Sequence, residues 1–111
     1  MGYHYTPEQV RMLVQRAERQ LEQAIAVSEQ EGGTHVARAV QAAVHDTVVS
    51  LTRLFRDQVP GAADVATRIA RAYAKGADAR AGAPVLACVR TIAGLVREGR
   101  ERYLPSTEQA D

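Results

Sequence analysis

The chain has a single cysteine, one phenylalanine and no tryptophan among its 111 residues, and Lys75 is its only lysine. One cysteine excludes an internal disulfide framework and any multi-cysteine metal site. Neither sign of charge is in excess: 14 Lys and Arg stand against 13 Asp and Glu, a formal net charge of +1. That balance gives no general field to draw in nucleic acid or an acidic membrane. No apolar run approaches the roughly 18 residues of a membrane span, and the N-terminus lacks the basic-then-apolar layout of a signal segment.

What is present is alanine and branched aliphatics. Apolar residues make up 46%, of which 20 are alanine, and the larger ones are led by 13 Val and 7 Leu. That suffices for one modest core, since a domain of roughly 100–150 residues buries about two thirds of its unfolded surface. The expectation is one soluble, cytoplasmic helical domain over residues 1–111, with a short lead at 1–5 and a flexible tail at 105–111. Arginine supplies 13 of the 14 basic residues. With the alanine excess, this points to a GC-rich bacterial or phage genome rather than to a demand for bidentate anion binding.

Hydrophobic periodicity then divides the chain. Thr6-Pro7-Glu8-Gln9 reads as a capping box with proline at the first helical position, and Tyr5 and Val10 can staple across it. Val10, Leu13, Val14, Ala17, Leu21, Ala24, Ile25 and Ser28 follow on a stripe about 120° wide. Arg11, Arg16, Glu18, Arg19, Glu22 and Gln23 face elsewhere. Gly32-Gly33 stops this helix, and Thr34 is expected to cap a second. The second stripe is Val36, Val40, Ala43, Val44, Thr47, Val48, Leu51, Leu54 and Phe55. Its stretch Val48–Leu51 alone could pass for a strand, but the helical period persists through about six turns. Val59-Pro60-Gly61 predicts a type II turn. A third helix from about Ala62 turns Val65, Ala66, Ile69, Tyr73 and Ala77 inward, and Gly76 either ends it or lets it pack closely. Gly82 and Pro84 bracket the next boundary. The last helix shows Val85, Cys88, Val89, Ile92, Val96, Gly99 and Tyr103 on one side, with Arg97–Glu101 and Glu98–Arg102 pairs outside, and ends at Pro105. Four such helices on short connections predict an all-α, antiparallel up-down-up-down four-helix bundle with no sheet and about 75–80% helix.

Chemistry-bearing residues are few. Arg38 and His45, seven apart, would share a helix face about 10.5 Å apart. This Arg-to-His spacing resembles the nuclease motif of HEPN-type helical ribonucleases, and the resemblance implies a base and a cation acting on RNA. His45 also resembles the exposed histidine on the second helix of histidine phosphotransfer domains, though Asp46-Thr47 follows it instead of their Lys-Gly. These two readings form the enzymatic alternative. His35 and His45 are ten apart with no Glu at metal-site spacing, and the buried stripes carry no carboxylate, so neither metal nor cofactor is expected. Cys88, at the edge of a buried stripe, reads as a small hydrophobe. Arg68, Arg71, Lys75, Arg80, Arg90 and Arg100 form a basic surface broken by Asp64 and Asp78 and without aromatics for base stacking, which argues against nucleic acid.

Apolar residues in excess of a core are the stronger indication. Met12 and Val49 point off their stripes. A first helix of about 25 residues against a third of about 20 leaves the first hairpin overhanging by about 8 Å. Ile25, Val27, Val36 and Val40 near that tip would lack cover, and a second copy is the expected cover. The reading is a non-catalytic, self-associating module, a homodimer that also binds another protein of undetermined identity.

Overall fold

Thr6 has extended backbone (φ −68°, ψ 155°); its Oγ1 accepts the Gln9 N–H at 3.1 Å, and the Gln9 side chain accepts the Thr6 N–H at 2.9 Å. With Pro7 behind it, this capping box starts α1 (Pro7–Gln30) where the sequence predicts. Thr6→Ala is expected to lower the unfolding free energy by about 0.5–2 kcal/mol, read from urea denaturation; an unchanged midpoint would contradict the cap. The helix stops at Gly32, whose φ of +71° suits a residue without a Cβ and whose N–H reaches the Glu29 carbonyl at 3.0 Å. The computed structural model describes residues 5–78 and 82–105, with the Asp78 side chain excepted. The lead through His4, Arg80 and its neighbours, and the tail from Ser106 to Asp111 lie outside the described residues.

Thr34 does not cap a helix. The chain from Thr34 to Ala37 runs alongside the entry to the last helix: Leu86 N–H donates to the Thr34 carbonyl at 2.8 Å and Val36 N–H to the Pro84 carbonyl at 3.0 Å. His35 bridges antiparallel to Val85. The Ser28 hydroxyl donates to the Ala24 carbonyl and accepts the Ala37 N–H at 3.0 Å. A 3-10 turn, Arg38–Val40, follows, and only then α2 (Gln41–Asp57) begins. Buried backbone amides must find partners, and here they find them across the fold rather than within a helix. The strand-like stretch Val48–Leu51 is helical.

Pro60-Gly61 forms the predicted turn, with Gly61 at φ +82° and the Ala62 N–H on the Val59 carbonyl at 3.2 Å. It leads into α3 (Ala63–Gly76), shorter than predicted because Ala77 leaves it for a two-residue strand. Strand β1 (Ala77–Asp78) pairs antiparallel with β2 (Ala83–Pro84), and Ala77, expected inside, is exposed. The last helix, α4, spans Leu86–Tyr103. Helix accounts for 78% of the described residues, and this short ladder with the His35 bridge is the only extended pairing among them.

The four helices pack as a ring, each against its neighbours in sequence, with α1 against α4 closing it. Ion pairs fix the sense of closure: Glu18 meets Arg100, Glu22 meets Arg97 and Glu29 meets Arg90. As one number rises the other falls, so α1 and α4 are antiparallel. Val14, Leu21, Leu51, Phe55, Ile69, Val89, Ile92 and Val96 fill the centre, each fully buried. Gly99 lies inside as predicted; a Cβ there would come within 3.0 Å of Phe55 and Val65. The bundle is the up-down-up-down fold that the stripes imply.

Candidate functional site

The α1–α2 seam is open along its length. The Thr47 hydroxyl reaches the Gln20 side chain at 3.4 Å and sets the antiparallel register. Stepping three or four residues along each helix places Leu13 opposite Leu54, Ala17 opposite Ser50 and Ala24 opposite Ala43, and Val40, which closes the 3-10 turn ahead of α2, lies at the Val27 end. All ten residues of these five rungs line one groove of about 570 Å³, with Arg16, Gln23 and Asp46 completing its walls. Large aliphatic rungs stand at both ends, small rungs inside them and one polar rung at the centre. Leu13, Val27, Val40 and Leu54 are half-buried and show apolar surface, and Val40 and Leu54 also pack against the core. Beside the groove, Tyr5, Gln9, Met12 and Arg19 form a shallower hollow that shares Leu13 and Arg16 with it. Met12 is 59% exposed and Tyr5 46%.

Two of the four residues assigned from the sequence to an uncovered tip, Val27 and Val40, belong to this groove. Ile25 is half-buried and packs against the core. Val36 must be corrected: it is 3% exposed and part of the core, with its N–H bonded to Pro84. The difference in helix length is there, 24 residues in α1 against 14 in α3, but the segment after Gly33 folds back onto residues 84–86 and covers Val36 within the chain, while Val27 and Val40 stay half-buried. Val49 is half-buried, leaving Met12 alone as an outward apolar residue of that pair.

Arg38 and His45 are not brought onto one helix face. The first lies in the 3-10 turn and the second in α2, so the helical distance between them does not apply. Both are exposed, and no hydrogen bond or ion pair joins them among the described residues. His45 instead meets α3, its Nδ1 3.4 Å from the Tyr73 hydroxyl and the two rings 5.9 Å apart. Burial raises the Tyr73 phenol above its ordinary range, with a smaller contribution from Cys88.

Cys88, on the α3–α4 seam, donates its thiol hydrogen to the Ala72 carbonyl at 3.0 Å, and burial pushes the thiol up. A raised thiol holds little of the nucleophilic thiolate. Alkylation at neutral pH is therefore expected to run slower than for free cysteine in a stopped-flow thiol assay. A rate equal to free cysteine would contradict this assignment.

The sequence missed Glu18. Placed on the outward face, it is 6% exposed between α1 and α4, so a buried stripe does carry a carboxylate. Arg100 Nε donates to Glu18 Oε2 at 2.7 Å and Arg97 Nε to Oε1 at 3.4 Å, while Arg97 also meets Glu22 at 3.3 Å. The hydrogen bond that Arg100 donates to Glu18 raises the guanidinium further above its already high range. Arg97 thus turns to α1 and Glu98 to Arg68 on α3, at 3.7 Å, in place of the predicted pairs within α4. The signal was positional: Glu18 follows Ala17 and Arg100 follows Gly99, each one step off a buried stripe.

Cys88, His45 and Glu18 occupy three different seams, so acid, base and nucleophile do not converge. Among the described residues no group of three or more His, Cys, Asp or Glu could hold a metal, and no helix is long and apolar enough to cross a membrane. Arg68, Arg71 and Lys75 lie exposed along α3, with Arg68 engaged by Glu98. No family model, no curated protein and no solved structure matches this chain.

Proposed function

We propose that the chain is a small helical protein-interaction module, without catalytic activity of its own, that receives an apolar ridge of a partner protein in the α1–α2 groove. One observation carries this reading. The half-buried end rungs, Leu13 with Leu54 and Val27 with Val40, line one groove, and its Leu13 end adjoins Tyr5 and Met12, the large apolar residues left most exposed among the described residues. A row of side chains on one helix fits the groove between two others. Each large aliphatic side chain brought out of water by such docking gains roughly 1.5–3 kcal/mol at full burial. Its workplace on this reading is the cytoplasm, where a lone thiol that donates to a carbonyl stays reduced.

Site-specific photocrosslinking in the cells of origin tests it. A photoreactive residue at Ser50, on the groove wall, should give a discrete adduct, whereas the same residue at Thr67, exposed on α3, should not. Adducts from both positions, or from neither, would overturn the groove as the working surface.

A further inference from the structure

We infer that the partner's ridge belongs to an acidic amphipathic helix, with carboxylates on both flanks of its apolar row; this rests on the groove reading above. The first argument is uncompensated charge at one end of the groove. Arg16 lines the Leu13–Leu54 end from α1, and Arg19 stands one turn along from it beside Met12. Arg53 precedes Leu54 on the outer face of α2, the face that carries Asp46. All three are exposed, and none has an ion-pair partner among the described residues. The carboxylates at this end are engaged already, Glu8 by Arg11 and Asp57 by Arg56, which donates to both of its oxygens. Asp46 is the one carboxylate lining the groove. In the register set by Gln20 and Thr47 it is level with Leu21, five residues along from Arg16, which is about 7.5 Å of helix rise. Positive charge is therefore gathered at the Leu13–Leu54 end, where it attracts a partner's carboxylates, and Asp46 repels them further along.

The second argument is height. In the same register Arg53 is level with Val14, two residues from Arg16, which is about 3 Å of rise. The two arginines thus stand nearly abreast on different helices, with the Leu13–Leu54 rung between them. A helix laid along the groove sets its aliphatic row on that rung. The positions flanking such a row are where charges choose partners in helical assemblies, and here they come over Arg16 on one side and Arg53 on the other. Guanidinium and carboxylate groups pair in a strong, directional way. The adjoining hollow sets Tyr5 and Met12 beside Arg16 and Arg19, and aromatic residues, methionine and arginine are the types enriched where proteins meet. A nucleic acid would satisfy the arginines but leave Leu13, Leu54 and Met12 in water. Cations on both sides of an apolar row call for a ligand with both features.

Three synthetic helical peptides of about 20 residues, added to the purified full chain, test it. They share one apolar row, with Leu at i, i+3, i+4 and i+7, and differ only at the flanking positions, which carry Glu, Gln or Lys throughout. In fluorescence anisotropy at low salt the Glu peptide should bind about tenfold tighter than the Gln peptide, and the Lys peptide most weakly. Salt at about 0.5 M should remove most of the difference between Glu and Gln. Arg16→Glu with Arg53→Glu should invert the order in favour of the Lys peptide. Arg71→Glu, exposed on α3, should leave the order intact, and circular dichroism should show unchanged helix in both variants. Equal binding of the Glu and Gln peptides, an order indifferent to the double change, or no binding by any peptide overturns the inference. So does binding to phosphatidylglycerol vesicles in place of the Glu peptide. Those failures are separate from failure of the groove, which the crosslink at Ser50 decides on its own: an adduct there to a partner segment without acidic flanks would retain the groove and remove the acidic helix.

Discussion

Gly76→Ala should destabilise the bundle by about 3 kcal/mol or more, at or beyond the top of the usual range for overpacking. By helix propensity alone the sign would be the reverse, since alanine is favoured over glycine inside a helix by roughly 0.5–1 kcal/mol. Contact decides it. A Cβ on Gly76 would fall 2.2 Å from Cys88 Sγ and 2.3 Å from Cys88 Cβ, a distance no two such atoms tolerate. Retreat is blocked on both sides. The Gly76 carbonyl accepts the Val85 N–H at 2.9 Å, and the Cys88 thiol is bonded to Ala72. Domains are stable by only about 5–15 kcal/mol, so the loss should lower Tm by roughly 12 °C or more. Cys88→Ala should not rescue it, because the Cβ remains, whereas the exchange Gly76→Ala with Cys88→Gly should. A melting point within about 2 °C of the parent protein would show that α3 and α4 can part there at little cost.

Gly76 also shows where reading the chain stops. Two alternatives were open for it, the end of a helix or a close approach, and the structure combines them: it is the last residue of α3 and it is buried. Local signals that depend on one short stretch were legible. The capping box at Thr6, the left-handed Gly32 and the Pro60-Gly61 turn are each set by neighbours within four residues. The stripe of α2 was legible from Val44 onward, because its period comes from facing one core. From Thr34 to Val40 the same inward valines mislead. Val36 is buried from an extended segment, and period alone cannot distinguish that from the first turn of a helix. The partners of this segment, Pro84 for Val36 and Leu86 for Thr34, are some fifty residues away in sequence. The groove was half legible for a related reason. Val27 and Val40 were recognised as surplus to the core, but which surplus residues meet depends on the α1–α2 register, and Thr47 with Gln20 sets that only in the folded chain.

Glu18→Ala should be the costliest change of a charged residue, at about 2–3 kcal/mol. Removing one partner of a buried ion pair costs about 3–5 kcal/mol when the other charge is left without solvent. Here the Arg100 side chain is 23% exposed and Arg97 57%, so water takes up part of the loss and the figure is discounted accordingly. The penalty arises at Arg100, whose Nε–H would lose the 2.7 Å acceptor on Glu18. Arg97 can keep Glu22. Glu18→Gln should cost less than Glu18→Ala, since an amide oxygen of the same reach still accepts one arginine hydrogen bond. Arg100→Met should be costly alone, because it strands the carboxylate; paired with Glu18→Met it should recover most of the parent stability, as apolar replacement of a whole buried pair often does. Chemical denaturation of the two single variants and the double variant closes the cycle. A coupling below about 0.5 kcal/mol would mean that Glu18 and Arg100 are held together by the packing of α1 on α4, and contribute little to it.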